Sequence, residues 1–158
     1  PGHSSAASDV YKRQILNPAP AQPLGENILK LCDFVTPNEI EAEQITGIPV
    51  KSVSDAEVAA DKLLEKGASA AVITLGEQGA LFKDSKQIIH QPSFQVGPIV
   101  ETTGAGDAFN GGLAVALAEE MPIDKALRFA CATASISVTR PGTAPSMPDR
   151  NEIDTLLT

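Results

Sequence analysis

The sequence predicts a three-layer α/β fold, a largely parallel sheet covered by helices on both faces. Two observations carry the expectation. Ala70 to Leu75 is a continuous apolar run without alternation, as a strand buried on both faces requires, and such strands belong to parallel sheets under helices. Strand-like and helix-like segments also alternate from Ile15 to Leu157. With 158 residues the chain has room for about one domain and a sizeable core.

Residues 1–14 are polar and unpatterned, lack the apolar centre of a signal peptide, and hold the only tyrosine, Tyr11. They are expected to be a disordered or foreign leader, which leaves 15–158 as the domain. With no initiator Met, the natural beginning is expected to be missing. Ile15 to Asn17 reads as a short strand entering a Pro-rich turn, Pro18 to Pro23, and a helix follows over Glu26 to Cys32. Phe34-Val35 is a second strand. The next helix is expected to start at Thr36, with Thr36 and Glu39 as a capping box and Pro37 at the first helical position, and to end at Gly47. Ser54 to Lys66 reads as a third helix, capped by Ser54 and Glu57, with Val58, Leu63 and Leu64 inward and Gly67 closing it.

After the Ala70 strand, Gly76 to Gly79 turns the chain, and Ala80 to Lys83 with Gln87 to His90 reads as an antiparallel pair. Pro98 to Val100 reads as a strand end leading into an Ala/Leu-rich helix. Ile123 to Val138 is expected to be an almost wholly buried helix, followed by a Pro/Gly loop from Thr139 to Pro148 and a last helix from Arg150 to Leu157.

Twelve Lys and Arg against twenty Asp and Glu give a net charge of −8, which argues against nucleic acid or an anionic membrane as partner. Apolar runs fall far short of the ~20 residues of a membrane span. Cys32 and Cys131 stand apart in apolar contexts, so two buried thiols in a reducing, cytoplasmic compartment are expected. His3 and His90 are isolated, which makes a zinc site improbable.

The densest chemistry lies between Val100 and Leu117. A glycine turn opens a helix there, and free amides at a helix start favour an anion, with Gly104 and Gly106 allowing close approach. Asp107 in the first turn would repel phosphate unless it takes a proton from an attacking hydroxyl while the amides hold the charge on a transferred phosphoryl group. The plainer alternative is a helix start whose Asp only complements the dipole.

Five segments then appear in one order: Asn17-Pro-Ala-Pro-Ala21, Thr36-Pro-Asn-Glu-Ile-Glu41, Thr74-Leu-Gly-Glu-Gln-Gly79, Thr102-Thr-Gly-Ala-Gly-Asp-Ala-Phe-Asn-Gly111 and Val138-Thr-Arg-Pro-Gly-Thr-Ala-Pro-Ser146. Together they resemble the C-terminal half of the ribokinase-type (PfkB) carbohydrate kinases. The resemblance covers Ile15 to Leu157 and implies ATP-dependent phosphorylation of a sugar's primary hydroxyl, first of all D-ribose to D-ribose 5-phosphate. Asp107 would be the general base and a substrate contact, and the amides of Gly104, Ala105 and Gly106 the anion hole.

By the same resemblance, Asn38 would meet nucleotide phosphate and Glu41 the accompanying Mg²⁺ through water. Read without it, the pair belongs to a solvated acidic helix face. Thr74, Leu75, Gly76, Glu77, Gln78 and Gly79 would form the turn under the nucleotide, with Gly106, Asp107 and Cys131 beside it; an ordinary turn after a buried strand fits the same residues. A K⁺ site is implied at Glu101, Thr103, Ser137, Arg140, Gly142 and Ser146, with Glu101 where the family usually has Asp.

The family's sugar-binding residues and its small β lid, which also makes the usual homodimer contact, belong to an N-terminal half without counterpart here. Uncovered edges and apolar faces then predict poor solubility of this piece alone. Alternatives are a fructokinase, deoxyribokinase or nucleoside kinase of the same fold, or a nucleotide-binding module without turnover. A dinucleotide-binding oxidoreductase fits less well, because Phe109 stands at the third glycine position of its fingerprint.

Overall fold

The computed structural model describes residues 14–18, 26–142 and 148–158. Residues 1–13, most of the Pro-rich turn and residues 143–147 lie outside the described residues. One sheet holds five strands in chain order: β1 (Ile15–Leu16), β2 (Phe34–Val35), β3 (Ala70–Thr74), β4 (Ala80–Asp84) and β5 (Ile88–Gln91). β1, β2 and β3 run parallel, and β4 and β5 add as antiparallel strands, which makes the described sheet mixed. The helices are α1 (Glu26–Lys30), α2 (Glu39–Thr46), α3 (Val53–Glu65), α4 (Ala105–Ala118), α5 (Ile123–Ser137) and α6 (Arg150–Leu157).

The three layers follow from alternation along the strands. Phe34, Ala70, Val72, Ala80 and Phe82 face Phe109, Leu113, Leu127 and Ala130 of α4 and α5. Val35, Ala71, Ile73 and Leu81 face the other way, against Ala42 of α2 and Ala56, Ala60 and Leu63 of α3. Both faces of β3 are therefore covered, which is why its sequence is apolar without a break.

Two helix starts differ from expectation for one reason: a nearby competing cap or strand bond. Thr36 stays extended, its amide donating to the Leu16 carbonyl at 2.9 Å, so it completes the β1–β2 pairing instead of capping. Pro37 disfavours helical geometry in the residue before it and fits this. The capping box sits two residues later: Asn38 Oδ1 accepts the Glu41 amide at 2.8 Å, and Glu41 Oε1 accepts the Asn38 amide at 2.9 Å. α3 is capped by Ser52, whose hydroxyl accepts the Asp55 amide at 3.1 Å, and not by Ser54. Ser52→Ala is expected to remove about 1 kcal/mol, seen as a lower urea midpoint, while Ser54→Ala leaves the midpoint unchanged.

Three alanines line the inner face of α3 together with Leu63, which is buried as expected. Ala56, Ala59 and Ala60 let the helix lie close on β3 and β4, and Val58 is 54% exposed rather than inward. Pro98 to Val100 pairs with no strand among the described residues, and Val100 is 60% exposed. Instead the Val100 and Glu101 amides both donate to the Val138 carbonyl, at 2.7 and 3.2 Å, which binds this segment to the end of α5. Pro98 lacks an N–H for a strand ladder, and three residues give it little to pair with. Cys131 is buried as expected, but Cys32 is only half-buried. No helix among the described residues is long and apolar enough to cross a membrane.

Candidate active site

In an open α/β sheet, ligands gather beyond the carboxyl ends of the parallel strands. Here those ends converge through an isolated bridge between Asn38 and Thr74, with the Thr74 amide donating to the Pro37 carbonyl at 3.0 Å. The start of α2 thus stands beside the turn that follows β3. Glu41 is buried, and one of its oxygens is committed to the cap. Asn38 Nδ2 and Glu41 Oε2 keep no partner among the described residues, which leaves a donor and a carboxylate oxygen for a ligand.

The turn itself is a short 3₁₀ segment, Gly76–Gln78, bounded by glycines with positive φ. A Cβ on Gly76 would meet nothing within 4 Å, whereas one on Gly79 would lie 1.9 Å from the Gln91 carbonyl oxygen. One glycine therefore leaves open space and the other permits close backbone packing. Gln91 also approaches Cys131, whose Sγ is 3.8 Å from its carbonyl, and the Phe94 amide donates to the Ser135 hydroxyl at 3.0 Å. Segment 91–94 so connects the turn to α5, and α5 ends at the Val138 carbonyl that holds Glu101.

At the start of α4, Gly104 takes a left-handed conformation, φ 87°, and no side chain caps the helix. The Ala105 amide donates to the Thr102 carbonyl at 3.1 Å. Those of Gly104, Gly106 and Asp107 have no acceptor among the described residues, so of these four amides only that of Ala105 is already bonded. Asp107 is exposed in the first turn, and one turn later Asn110 Oδ1 is buried without a partner.

Glu101 is held at the end of α5 by its amide on the Val138 carbonyl, and Thr103 follows it, exposed. The hydroxyl and amide of Thr103 hold the Glu101 carboxyl below its ordinary value, and the amide donates to Oε1 at 3.2 Å. Ser137 is buried, with its hydroxyl on the Ala134 carbonyl and its own carbonyl accepting the Arg140 amide. Arg140 forms a forked ion pair with Glu152 of α6, and Gly142 has φ 81°. Ser146 lies outside the described residues. A carboxylate, hydroxyls and backbone carbonyls are hard-oxygen donors, the type that a hard cation such as an alkali-metal ion takes.

Burial pushes the Cys131 thiol up to about 12. At pH 8 only about one molecule in ten thousand would carry the thiolate there, so alkylation of the native chain is expected to spare Cys131 and to reach it after unfolding. Mass spectrometry of the labelled peptides checks this.

Sequence reasoning missed two residues at this end. His90, set aside as isolated, bonds the Gln78 carbonyl through Nε2 at 2.7 Å, and the Ser93 hydroxyl donates to the Glu77 carbonyl at 2.5 Å. Neither carries a motif; the β4–β5 register brings His90 to the turn, and Ser93 reaches it from two residues past β5.

Fold and site define an α/β/α protein whose glycine turns and free helix-start amides collect at one end of the sheet. The chain belongs to the pfkB family of carbohydrate kinases, whose model matches residues 3–150. It is 45% identical over 140 residues to the ribokinase of Haemophilus influenzae, covering 87% of this chain and 45% of the relative. It is 39% identical over 144 residues to the deoxyribokinase of Salmonella typhi, covering 90% and 47%. The structure of Arabidopsis thaliana ribokinase complexed with ribose and ATP superposes with a TM-score of 0.86 at 34% identity, over 90% of this chain and 46% of that one. The chain spans about half the length of the curated relatives it matches.

Proposed function

We propose that this chain carries the nucleotide-binding and proton-accepting part of an ATP-dependent sugar kinase, with D-ribose as substrate and D-ribose 5-phosphate as product. The observation that carries the reading is Asp107, exposed in the first turn of α4 beside amides that have no acceptor among the described residues. A carboxylate alone would repel phosphate there. Paired with free donors, it can take the proton of a primary hydroxyl as that oxygen bonds to the γ-phosphorus. The bond from γ-phosphorus to the β–γ bridging oxygen breaks, ADP leaves with the electron pair, and the amides of Gly104, Gly106 and Asp107 meet the charge on the transferred group. Family membership and the ribose- and ATP-bound relative support the reading.

Mg²⁺ bound with ATP would neutralise phosphate charge, and Asn38 and Glu41 are the residues to hold the phosphate and the metal-bound water. Thr74 to Gly79 form the turn under the nucleotide, with Cys131 behind Gln91. K⁺ is assigned to Glu101, Thr103, Ser137, Arg140 and Gly142. Two unpaired cysteines suit a reducing cytoplasm.

The test is ADP formation by the chain with Mg²⁺ and K⁺ in the presence of D-ribose, 2-deoxy-D-ribose or D-fructose, together with calorimetry of ATP binding. Ribose-dependent turnover supports the assignment. Preference for deoxyribose would favour the second reading, which the deoxyribokinase relative motivates. Binding of ATP without turnover on any sugar would leave a nucleotide-binding module, and absence of ATP binding would overturn the proposal.

A further inference from the structure

A three-residue turn with glycine at both ends is permissive, because peptide planes beside glycine rotate at little steric cost. Its own bonds fix only part of it. The Leu75 amide donates to the Gly79 carbonyl at 2.8 Å, Gln78 to Leu75 at 3.0 Å and Gly79 to Gly76 at 3.1 Å. The Glu77 and Gln78 carbonyls would otherwise face solvent, since both residues are exposed.

Both carbonyls are taken from outside the turn. β5 pairs His90 with Leu81 and Gln91 with Ala80, which places His90 on the Leu81 face of the sheet within reach of the turn. Its Nε2 donates to the Gln78 carbonyl at 2.7 Å, and Ser93, three residues on, donates to the Glu77 carbonyl at 2.5 Å. Between them Gln91 packs against Gly79. The clamping segment is itself anchored, by the bond from the Phe94 amide to Ser135 of α5. The amides of Gly76 and Glu77 have no acceptor among the described residues.

We infer that His90 and Ser93 are positioning residues for the nucleotide. By holding two successive carbonyls back, they keep the Gly76–Gln78 turn in one orientation, with its first two amides left for a ligand. Neither side chain takes part in the chemistry. The inference rests on the kinase reading above, and it adds residues that reach the nucleotide only through the turn they hold.

The experiment is calorimetric binding of ATP with Mg²⁺ to the full chain, with hydrogen exchange of the 74–79 segment, for His90→Leu, Ser93→Ala and the conservative variants His90→Gln and Ser93→Thr. Each disruptive change is expected to weaken binding by about 3–10-fold, the effect of one hydrogen bond, and to speed exchange at the turn while leaving the melting temperature nearly unchanged. Ser93→Thr and His90→Gln are expected to restore most of both. Binding that stays as tight in both disruptive variants overturns the inference. So does weaker binding that merely follows a general loss of stability and that the conservative variants fail to restore. If the unsubstituted chain binds no ATP, the kinase reading fails and the nucleotide role of the clamp fails with it, while exchange at the turn still reports whether the clamp holds.

Discussion

Gly79→Ala is expected to destabilise the chain by about 2–6 kcal/mol, a large part of the stability of a domain this size. Two independent effects add. The backbone at Gly79 has φ 90° and ψ −127°, a region that L-residues with a Cβ essentially do not enter. The new methyl would also fall on backbone atoms, 1.9 Å from the Gln91 oxygen and 2.8 Å from the Pro92 carbonyl carbon, which cannot rotate away as a side chain would. Gly76→Ala is the control in the same turn. Its φ of 57° is left-handed, but the methyl meets nothing within 4 Å, so the change costs about 1–2 kcal/mol. Urea unfolding of the two variants checks the contrast, and equal midpoints would mean that the turn does not pack on β5 as described.

Asp107→Asn is expected to lower sugar-dependent ADP formation by about 10²–10⁴-fold, the range for removal of a general base. Asparagine keeps the shape and loses only the ability to take the proton. ATP binding is expected to be retained or slightly tighter, because a negative charge beside the phosphates disappears. A fall in turnover with binding intact assigns the proton transfer to Asp107. An asparagine variant as fast as the unsubstituted chain would remove Asp107 from that role, and loss of both properties together would point to damage at the start of α4.

Much of the fold was legible because its signals are local. The unbroken apolar run of β3 announced a strand covered on both sides, and the buried α5 and the hairpin of β4 and β5 were read from composition and turn residues. Helix starts were less legible, since Thr36 and Asn38 both offer a cap with a Glu three residues on. The choice between them is made by Leu16, which claims Thr36 for the sheet. Val58 misled for a related reason: size suggested burial, but the close approach of α3 to the sheet favours alanine. At the site, glycines and Asp107 stand out in sequence because backbone geometry and charge demand those residue types. His90 and Ser93 do not, because what they supply is a single hydrogen bond across a strand register.

Among the described residues, strand order follows chain order from β1 to β5. Each of these strands can therefore add to the edge left by the one before it as the chain is made. The two faces are not completed at the same time. α2 and α3 precede β3 and can cover Ala71 and Ile73 as that strand forms. Phe34, Val72 and Phe82 wait for α4 and α5, which end only at Ser137. The cover that α4 and α5 give this face is complete only more than fifty residues after β4, from Asp84 to Ser137, so its burial by these helices is a late event in synthesis.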